Sequence, residues 1–197
     1  MRQLLIATNN AGKLREFERL LVGLPAEVVS PEQIGLRLDV PEPYHTYAEN
    51  AAAKADAFCR ASGLLVLADD SGLEAAALDW GPGVRTGRFG GPQVKDRVAA
   101  LLELLDGAVD RRARMVCWLA IGVPGGSDPA IELFSGTMEG SVTRAPRGGG
   151  GFGYDPVFEL PSGQTNAELP EAEKDRLSHR GMAVAAAAPR LRQLLAA

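Results

Sequence analysis

The stretch Leu64-Leu65-Val66-Leu67-Ala68-Asp69-Asp70-Ser71-Gly72 decides how the whole chain is interpreted. Its apolar beginning predicts a buried strand, and its end predicts a turn because Asp, Ser and Gly favour turns. Successive side chains on a strand point to opposite faces, so Asp69 and Asp70 should diverge. Two carboxylates are costly to bury unless they are paired or bind a metal. Taken alone, the stretch is best interpreted as a strand end that turns into a loop.

The composition is that of a globular protein with an acidic balance. The 197 residues are 46% hydrophobic and 23% charged, with a formal net charge of −4. This balance argues against a protein that coats nucleic acid, which needs a basic surface. No apolar run is long enough to cross a membrane, and the first one is too short for a signal peptide. Two cysteines imply no disulfide framework, which fits a reducing, cytoplasmic setting.

The N-terminal segment predicts a strand, a polar turn and a helix. Residues 4–8 are apolar enough for a buried strand, and helical spacing follows at Leu14, Phe17, Leu20 and Leu21. The turn between them, residues 9–13, brings backbone N–H groups and the positive end of a helix dipole together, where a phosphate can bind. Lys13 adds a cation. The P-loop pattern is absent, and an ordinary strand–helix turn explains the segment equally well.

Residues 46–63 predict a capped helix. Thr46 and Glu49 form a capping box at its start, and Gly63 is placed as a C-cap glycine. Asn50 and Lys54 share one helical face, for which a solvated surface is the usual explanation.

The remaining segments predict strands that alternate with helices early and cluster late. Strands are expected over residues 26–30, 73–78, 114–123, 130–134 and 136–142, with a hairpin turn at 125–127. Helices are expected over residues 94–105 and 168–177 and in the Ala-rich C-terminal segment, where Pro189 should kink or restart the helix. This order predicts an α/β or α+β fold with a mixed sheet.

The glycine run at residues 148–151 leads into Phe152-Gly153-Tyr154-Asp155-Pro156. Glycine lets a backbone approach a flat ligand closely, and Phe152 and Tyr154 could stack on a base. A tight turn with core aromatic residues is an equal alternative.

Together, the polar segments supply the groups that a nucleoside triphosphate requires. They are residues 8–13, 69–72, 151–155 and 174–180. Lys13, Lys174 and Arg180 can neutralise phosphates. Glu42 and Asp70 can hold Mg²⁺ together with phosphate oxygens, and a carboxylate near the metal can deprotonate a water. The spacing does not fix which reaction follows.

Several motifs occur in one order over nearly the whole chain. They are Thr8-Asn-Asn-Ala-Gly-Lys13 with Glu16, Tyr47-Ala-Glu-Asn-Ala51 with Lys54, Ala68-Asp-Asp-Ser-Gly-Leu73, Gly150-Gly-Phe-Gly-Tyr-Asp-Pro156, and Glu173-Lys-x-x-x-Ser-His-Arg-Gly181. In this combination they resemble the inosine triphosphatase-like, non-canonical purine NTP pyrophosphatases. The resemblance implies an elongated α/β fold of two lobes around a long central mixed sheet, with the active site in the cleft between the lobes. It further implies one domain over residues 1–197 and a homodimer.

The same resemblance implies hydrolysis of ITP, dITP and XTP to the monophosphate and pyrophosphate, with Mg²⁺. It assigns triphosphate binding to Thr8, Asn9, Asn10, Ala11, Gly12 and Lys13. It assigns metal binding to Glu42 and Asp70, with Asp70 also the general base and Lys54 close to the phosphates. Ser71 should contact the substrate. The purine should be held by Phe152, Gly153, Tyr154 and Asp155, and the pocket completed by Lys174, His179 and Arg180.

Asp69, on the opposite strand face from Asp70, is expected to be structural and to accept backbone or Arg hydrogen bonds. The selectivity follows from hydrogen bonding: ITP and XTP carry a 6-oxo group where ATP carries an amine, and a donor that faces an amine is left unpaired. Two departures from the family pattern are Asn9, where Gly is usual, and Pro43, which stiffens the segment after Glu42. Asn adopts left-handed angles more readily than most residues, so the first loop should keep its conformation.

Two other functions stay open at this point. One is a pyrophosphatase that acts mainly on canonical or modified pyrimidine nucleotides, which a substrate panel would distinguish. The other is a nucleotide-binding sensor that has lost turnover. The presence of both Glu42 and Asp70 argues against the sensor.

Overall fold

A computed structural model of the chain describes residues 2–91, 93–125 and 128–196. Its strands are β1 (Arg2–Ile6), β2 (Ala26–Val29), β3 (Leu65–Ala75), β4 (Gly81–Pro82), β5 (Arg112–Val123), β6 (Ala130–Val142) and β7 (Phe158–Glu159). Its helices are α1 (Ala11–Leu20), α2 (Tyr47–Ser62), α3 (Val94–Leu104), α4 (Glu171–Leu177) and α5 (His179–Ala196). Within the described ranges, no helix is both long and apolar enough to cross a membrane.

The strands form one mixed sheet in the order β2-β1-β3-β5-β6-β7, with β4 paired to β3. Strand β1 is parallel to both β2 and β3, whereas β3–β4 and β6–β7 are antiparallel pairs. Parallel neighbours need crossover connections, and the helices α1 and α2 lie in the connections from β1 to β2 and from β2 to β3. The predicted α/β class with a mixed sheet is confirmed.

The described chain divides into two compact units. Unit 1 comprises Met1–Asp70, Cys117–Gly136 and Arg180–Ala197, and unit 2 comprises Ser71–Val116 and Thr137–His179.

Unit 1 buries both faces of its strands. On β3, Leu65 and Leu67 pack with residues of α1 and α5, whereas Val66 and Ala68 pack with residues of α2. This is the period of two expected for a strand buried on both sides, and the two faces are called the α1/α5 face and the α2 face below. Unit 2 has a separate core that joins Leu73 and other strand residues to α3 and to Phe158.

The polar stretch at residues 69–72 does not end a strand, as predicted, but lies inside β3. The separate strand predicted over residues 73–78 is the continuation of β3 to Ala75, followed by a single turn of 3₁₀ helix. Turn propensity is a local preference, and here the apolar residues on both sides and the partners of the two aspartates override it.

Two further predicted breaks in regular structure do not occur. The two strands expected over residues 130–142 are one strand, β6. Pro189 lies inside α5, which continues on both sides of it, so the helix does not restart there, and the kink stays a prediction. Strands β5 and β6 are neighbours in the sheet as expected, but Gly126 and Ser127 of their predicted turn lie outside the described residues.

Helix α2 confirms the predicted capping. The Thr46 hydroxyl accepts a hydrogen bond from Glu49 N at 3.2 Å and donates one to Glu49 Oε2 at 2.7 Å. At the other end Gly63 adopts left-handed angles with φ 68° and donates its N–H to Cys59 O.

We expect Gly63→Ala to lower the free energy of unfolding by about 1 kcal/mol, because a residue with a Cβ is strained at this φ. An added Cβ would meet no atom within 4 Å, so backbone strain would be the sole cost. Gly125→Ala is the matched control, since that site is equally open and has no positive φ. Urea denaturation of both variants tests this, and equal stabilities would contradict it.

Candidate functional site

Asp69 lies on the α1/α5 face of β3 and is 1% exposed. Lys13 Nζ lies 2.9 Å from its Oδ2, and Arg180 Nη2 donates to the same oxygen at 3.2 Å. Arg180 is itself buried and also contacts Glu16. Burial alone would raise the pKa of Asp69, but the positive charges of Lys13 and Arg180 outweigh it and hold the pKa well below the usual range. Asp69 is therefore an ionised centre that holds two cations.

Asp70 lies on the α2 face and has a different environment. Asn50 Nδ2 donates a hydrogen bond to its Oδ2 at 2.9 Å. Burial is the largest influence on the pKa of Asp70 and raises it, while Lys13 and the Asn50 hydrogen bond oppose this effect without cancelling it. A carboxylate with a raised pKa is a stronger base, which suits a group that takes a proton from water.

Lys54 connects Glu42 to the same part of β3. Its Nζ forms an ion pair with Glu42 Oε1 and donates to the backbone oxygen of Asp69 at 2.7 Å. Burial works to lower the pKa of Lys54, but the charges of Asp69 and Glu42 outweigh it, so the pKa is raised. Lys54 therefore stays charged and is suited to stabilise anions rather than to accept a proton.

The loop before α1 is organised by Asn10. The Asn10 side chain is the N-cap of the helix, because its Oδ1 accepts from Gly12 N at 2.9 Å and from Lys13 N at 3.2 Å. Thr8 Oγ1 accepts from Asn10 N at 3.2 Å. Two of the N–H groups predicted to bind phosphate thus already have a side-chain acceptor, and Lys13 lies in the first turn of α1.

A second cluster lies in unit 2 and centres on Asp155, which is buried. Its Oδ2 accepts hydrogen bonds from Phe152 N and from Lys174 Nζ, both at 2.7 Å, and its Oδ1 accepts from Asn166 Nδ2 at 3.3 Å. The Lys174 ammonium also lies 5.0 Å from the centre of the Phe152 ring, within the range of a cation–π interaction. The half-buried Phe152 is therefore fixed through both its backbone and its ring.

Two neighbours complete this segment. Gly151 has φ 69°, and an added Cβ would lie 2.1 Å from Asp155 Oδ2, so the tight approach requires glycine. The Tyr154 hydroxyl donates to Thr86 O at 3.2 Å, and burial raises the pKa of Tyr154 to about 12. Tyr154 is part of the core of unit 2. For this residue, the alternative interpretation of the segment as a tight turn with core aromatic residues is therefore correct.

The other predicted residues differ in exposure. Asn9 and Ala11 are exposed, Ser71 and Gly153 are half-buried, and His179 is buried in unit 2.

Glu42 and Asp70 are oxygen donors that suit a hard divalent cation. The charge of Glu42 and burial both disfavour the negative charge on Asp70, so a cation would relieve both effects. Among the described residues, no group of three or more His, Cys, Asp or Glu side chains could hold a metal on its own. A cation here would therefore need additional oxygens, which water or a bound phosphate can supply.

Three residues that contact the aspartates or arginine of these clusters received no role from the sequence: Glu16, Asn50 and Asn166. The solvated face proposed for Asn50 is wrong, since this residue is 2% exposed. The sequence did contain an indication that Asn50 faces the interior. Asn50, Lys54 and Phe58 are spaced four residues apart, and because Phe58 is apolar, this spacing indicates one buried face of the helix.

We expect Asp69→Asn to lower the free energy of unfolding by about 3 kcal/mol, because it leaves the buried Arg180 and the half-buried Lys13 without their shared carboxylate. Asp56→Asn is the control, since it removes an exposed ion pair with Arg60 that should contribute little to stability. The measurement is urea denaturation at neutral pH, and similar losses in both variants would contradict the role of Asp69.

The contribution of Asp69 also has a defined pH dependence. Because its folded-state pKa is lowered, the stabilisation is present above the ordinary aspartate pKa and is lost as the pH falls through the folded value. The stability difference between wild type and Asp69→Asn should therefore stay constant from neutral pH down to about pH 5.

Comparisons with known proteins find relatives over nearly the whole chain. The family model described as Ham1 family matches residues 4–190. A dITP/XTP pyrophosphatase from Deinococcus deserti is 45% identical over 94% of this chain and 87% of its own length, and one from Parasynechococcus marenigrum is 44% identical over 100% and 98%. The structure of a HAM1 protein from Coxiella burnetii superposes with a TM-score of 0.84 at 38% identity, covering 100% of this chain and 99% of that one. These matches confirm the resemblance seen in the motifs and show that the chain belongs to the Ham1 family.

Proposed function

We propose that the chain is a nucleoside triphosphate pyrophosphohydrolase that converts ITP, dITP and XTP to the monophosphate and pyrophosphate. Relatives named dITP/XTP pyrophosphatases, at 44–45% identity over most of the chain, support this activity. The observation that carries the proposal is the grouping around β3, where Asp70 is buried, Lys13 pairs with the adjacent Asp69, and Lys54 pairs with Glu42. A base, cations and a second carboxylate are the groups that this hydrolysis needs.

In the proposed reaction, Asp70 takes a proton from a water whose oxygen attacks the α-phosphorus. The bond from the α-phosphorus to the bridging oxygen breaks, and pyrophosphate leaves with the electron pair. Lys13 and Lys54 offset the negative charge that collects on the leaving group. The proton on Asp70 is then released to solvent, which restores the base.

Glu42 and Asp70 are the residues proposed to hold Mg²⁺ together with phosphate oxygens. When bound, such an ion neutralises part of the triphosphate charge. The residues from Thr8 to Gly12 are proposed to contact the triphosphate, and Ser71 the substrate.

Arg180 is best explained as a residue that positions other side chains. It is buried, and its guanidinium contacts Glu16 and Asp69. These contacts support a role in fixing Asp69 and, through it, Lys13. Direct contact of Arg180 with the substrate stays a prediction.

The unit 2 cluster is proposed to bind the purine. Phe152 would stack on the base, with Asp155 and Lys174 keeping its backbone and ring in place. Gly153 and His179 are proposed as further contacts with the base. A homodimer and a cytoplasmic location remain predictions, and light scattering of the purified protein tests the first.

The reaction is tested by its products and by one variant. With Mg²⁺, ITP, dITP and XTP should each yield one pyrophosphate per monophosphate, with slow turnover of ATP and GTP. Asp70→Asn should lower kcat by about 10²–10⁴-fold, the usual contribution of a general base. Orthophosphate as the first product, or turnover by Asp70→Asn at the wild-type rate, would contradict the proposal.

Stability measurements separate loss of chemistry from loss of folding in that variant. The raised folded-state pKa of Asp70 means that its negative charge is disfavoured at neutral pH. A neutral Asn should therefore leave the free energy of unfolding unchanged or raised, in contrast to the change at Asp69.

Gly151→Ala tests the base-binding role of the unit 2 cluster. The new Cβ would displace the Asp155 carboxylate from Phe152 N, so KM for ITP should rise about tenfold or more while kcat changes little. Gly149→Ala is the matched control in the same run, since that position is open and has no positive φ. Equal KM values for the two variants would speak against this assignment.

A further inference from the structure

Asn50 joins two parts of the chain that the proposed reaction requires. It lies in the first turns of α2, and its side chain is buried. Asn50 Nδ2 donates to Asp70 Oδ2 at 2.9 Å, and Asn50 Oδ1 accepts from Tyr44 N at 3.1 Å. Tyr44 follows Glu42 by two residues. One carboxamide therefore connects the carboxylate of Asp70 to the backbone of the segment that carries Glu42.

The chemistry of the carboxamide fixes its orientation. The amide nitrogen must face the carboxylate and the amide oxygen must face the backbone N–H, because the reverse placement would set two acceptors and two donors against each other. Asp in this position would keep the acceptor for Tyr44 N but lose the donor to Asp70. Leu, which has a similar size, would lose both.

Lys54 lies one helical turn further along the same face. It pairs with the side chain of Glu42 and with the backbone oxygen of Asp69. The Glu42 segment is thus attached to α2 at two points, one through its backbone and one through its carboxylate. Rigid side chains on a helix define such distances better than a loop does.

We propose that Asn50 is a positioning residue that sets the carboxylate of Asp70 and the Glu42 segment in register, so that both carboxylates can hold one divalent cation. This inference rests on the proposed function and adds a residue to its machinery. Asn50 acts through Asp70 and Glu42 and does not itself contact the reacting atoms.

The first test uses the metal alone. Mn²⁺ binding to the nucleotide-free protein should weaken at least about tenfold in Asn50→Leu relative to wild type, measured by electron paramagnetic resonance. Equal Mn²⁺ affinity would overturn the proposal. This measurement needs no turnover, so it remains decisive even if the wild-type protein fails to hydrolyse ITP and the proposed function is lost.

The second test separates positioning from simple stability. Asn50→Leu and Asn50→Asp should each lower kcat for ITP at least about thirtyfold at saturating Mg²⁺, with KM within about threefold of wild type. Glu49→Ala, which removes the exposed capping partner of Thr46 in the same turn, should keep the wild-type kcat. A wild-type kcat in both Asn50 variants would overturn the proposal. If Asn50→Leu does not fold, the kcat of Asn50→Asp alone decides.

Discussion

Adjacent side chains of a strand cannot share one environment, and β3 buries carboxylates at two consecutive positions. On the α1/α5 face, the charges of Lys13 and Arg180 outweigh the cost of burial, so Asp69 is strongly ionised. On the α2 face, burial outweighs the Asn50 hydrogen bond and the charges of Lys13 and Lys54, so the pKa of Asp70 is raised. The same residue type therefore gives a structural anchor at one position and, in the proposed reaction, a base at the next.

The different environments of Asp69 and Asp70 also determine where the side chain of Lys13 is held. The side chain of a lysine is flexible, but the carboxylate of Asp69 holds the Lys13 ammonium at 2.9 Å. Asp69 is in turn fixed by Arg180 and, through Arg180, by Glu16. In the proposed function, the ammonium of Lys13 is therefore preorganised before the triphosphate binds, which reduces the entropy lost on binding. The charge of Lys13 also opposes the rise in the pKa of Asp70, so this lysine influences the carboxylates on both faces of the strand.

The fold class followed from local patterns, since the apolar periods of strands and helices are visible in short windows. The continuity of β3 was not predictable in this way. The residues that offset its buried charge are far away in sequence, with Arg180 lying 111 positions from Asp69. A turn prediction at Asp-Asp-Ser-Gly is correct on local propensity and fails because these distant partners exist. The site residues came from motifs, but their pairings did not, since Asn50 and Asp155 find their partners only in the folded chain.

Buried ion pairs contribute little net stability, because the cost of removing charges from water offsets most of their attraction. Both clusters nevertheless centre on a buried aspartate, with Lys13 and Arg180 at Asp69 and Lys174 at Asp155. Apolar residues of similar volume would pack these positions at least as well. What they could not do is fix a second group: Asp69 orients a cation, and Asp155 orients the backbone and, through Lys174, the ring of Phe152. Positioning, rather than stability, is therefore the physical reason for carboxylates in the interior of both units.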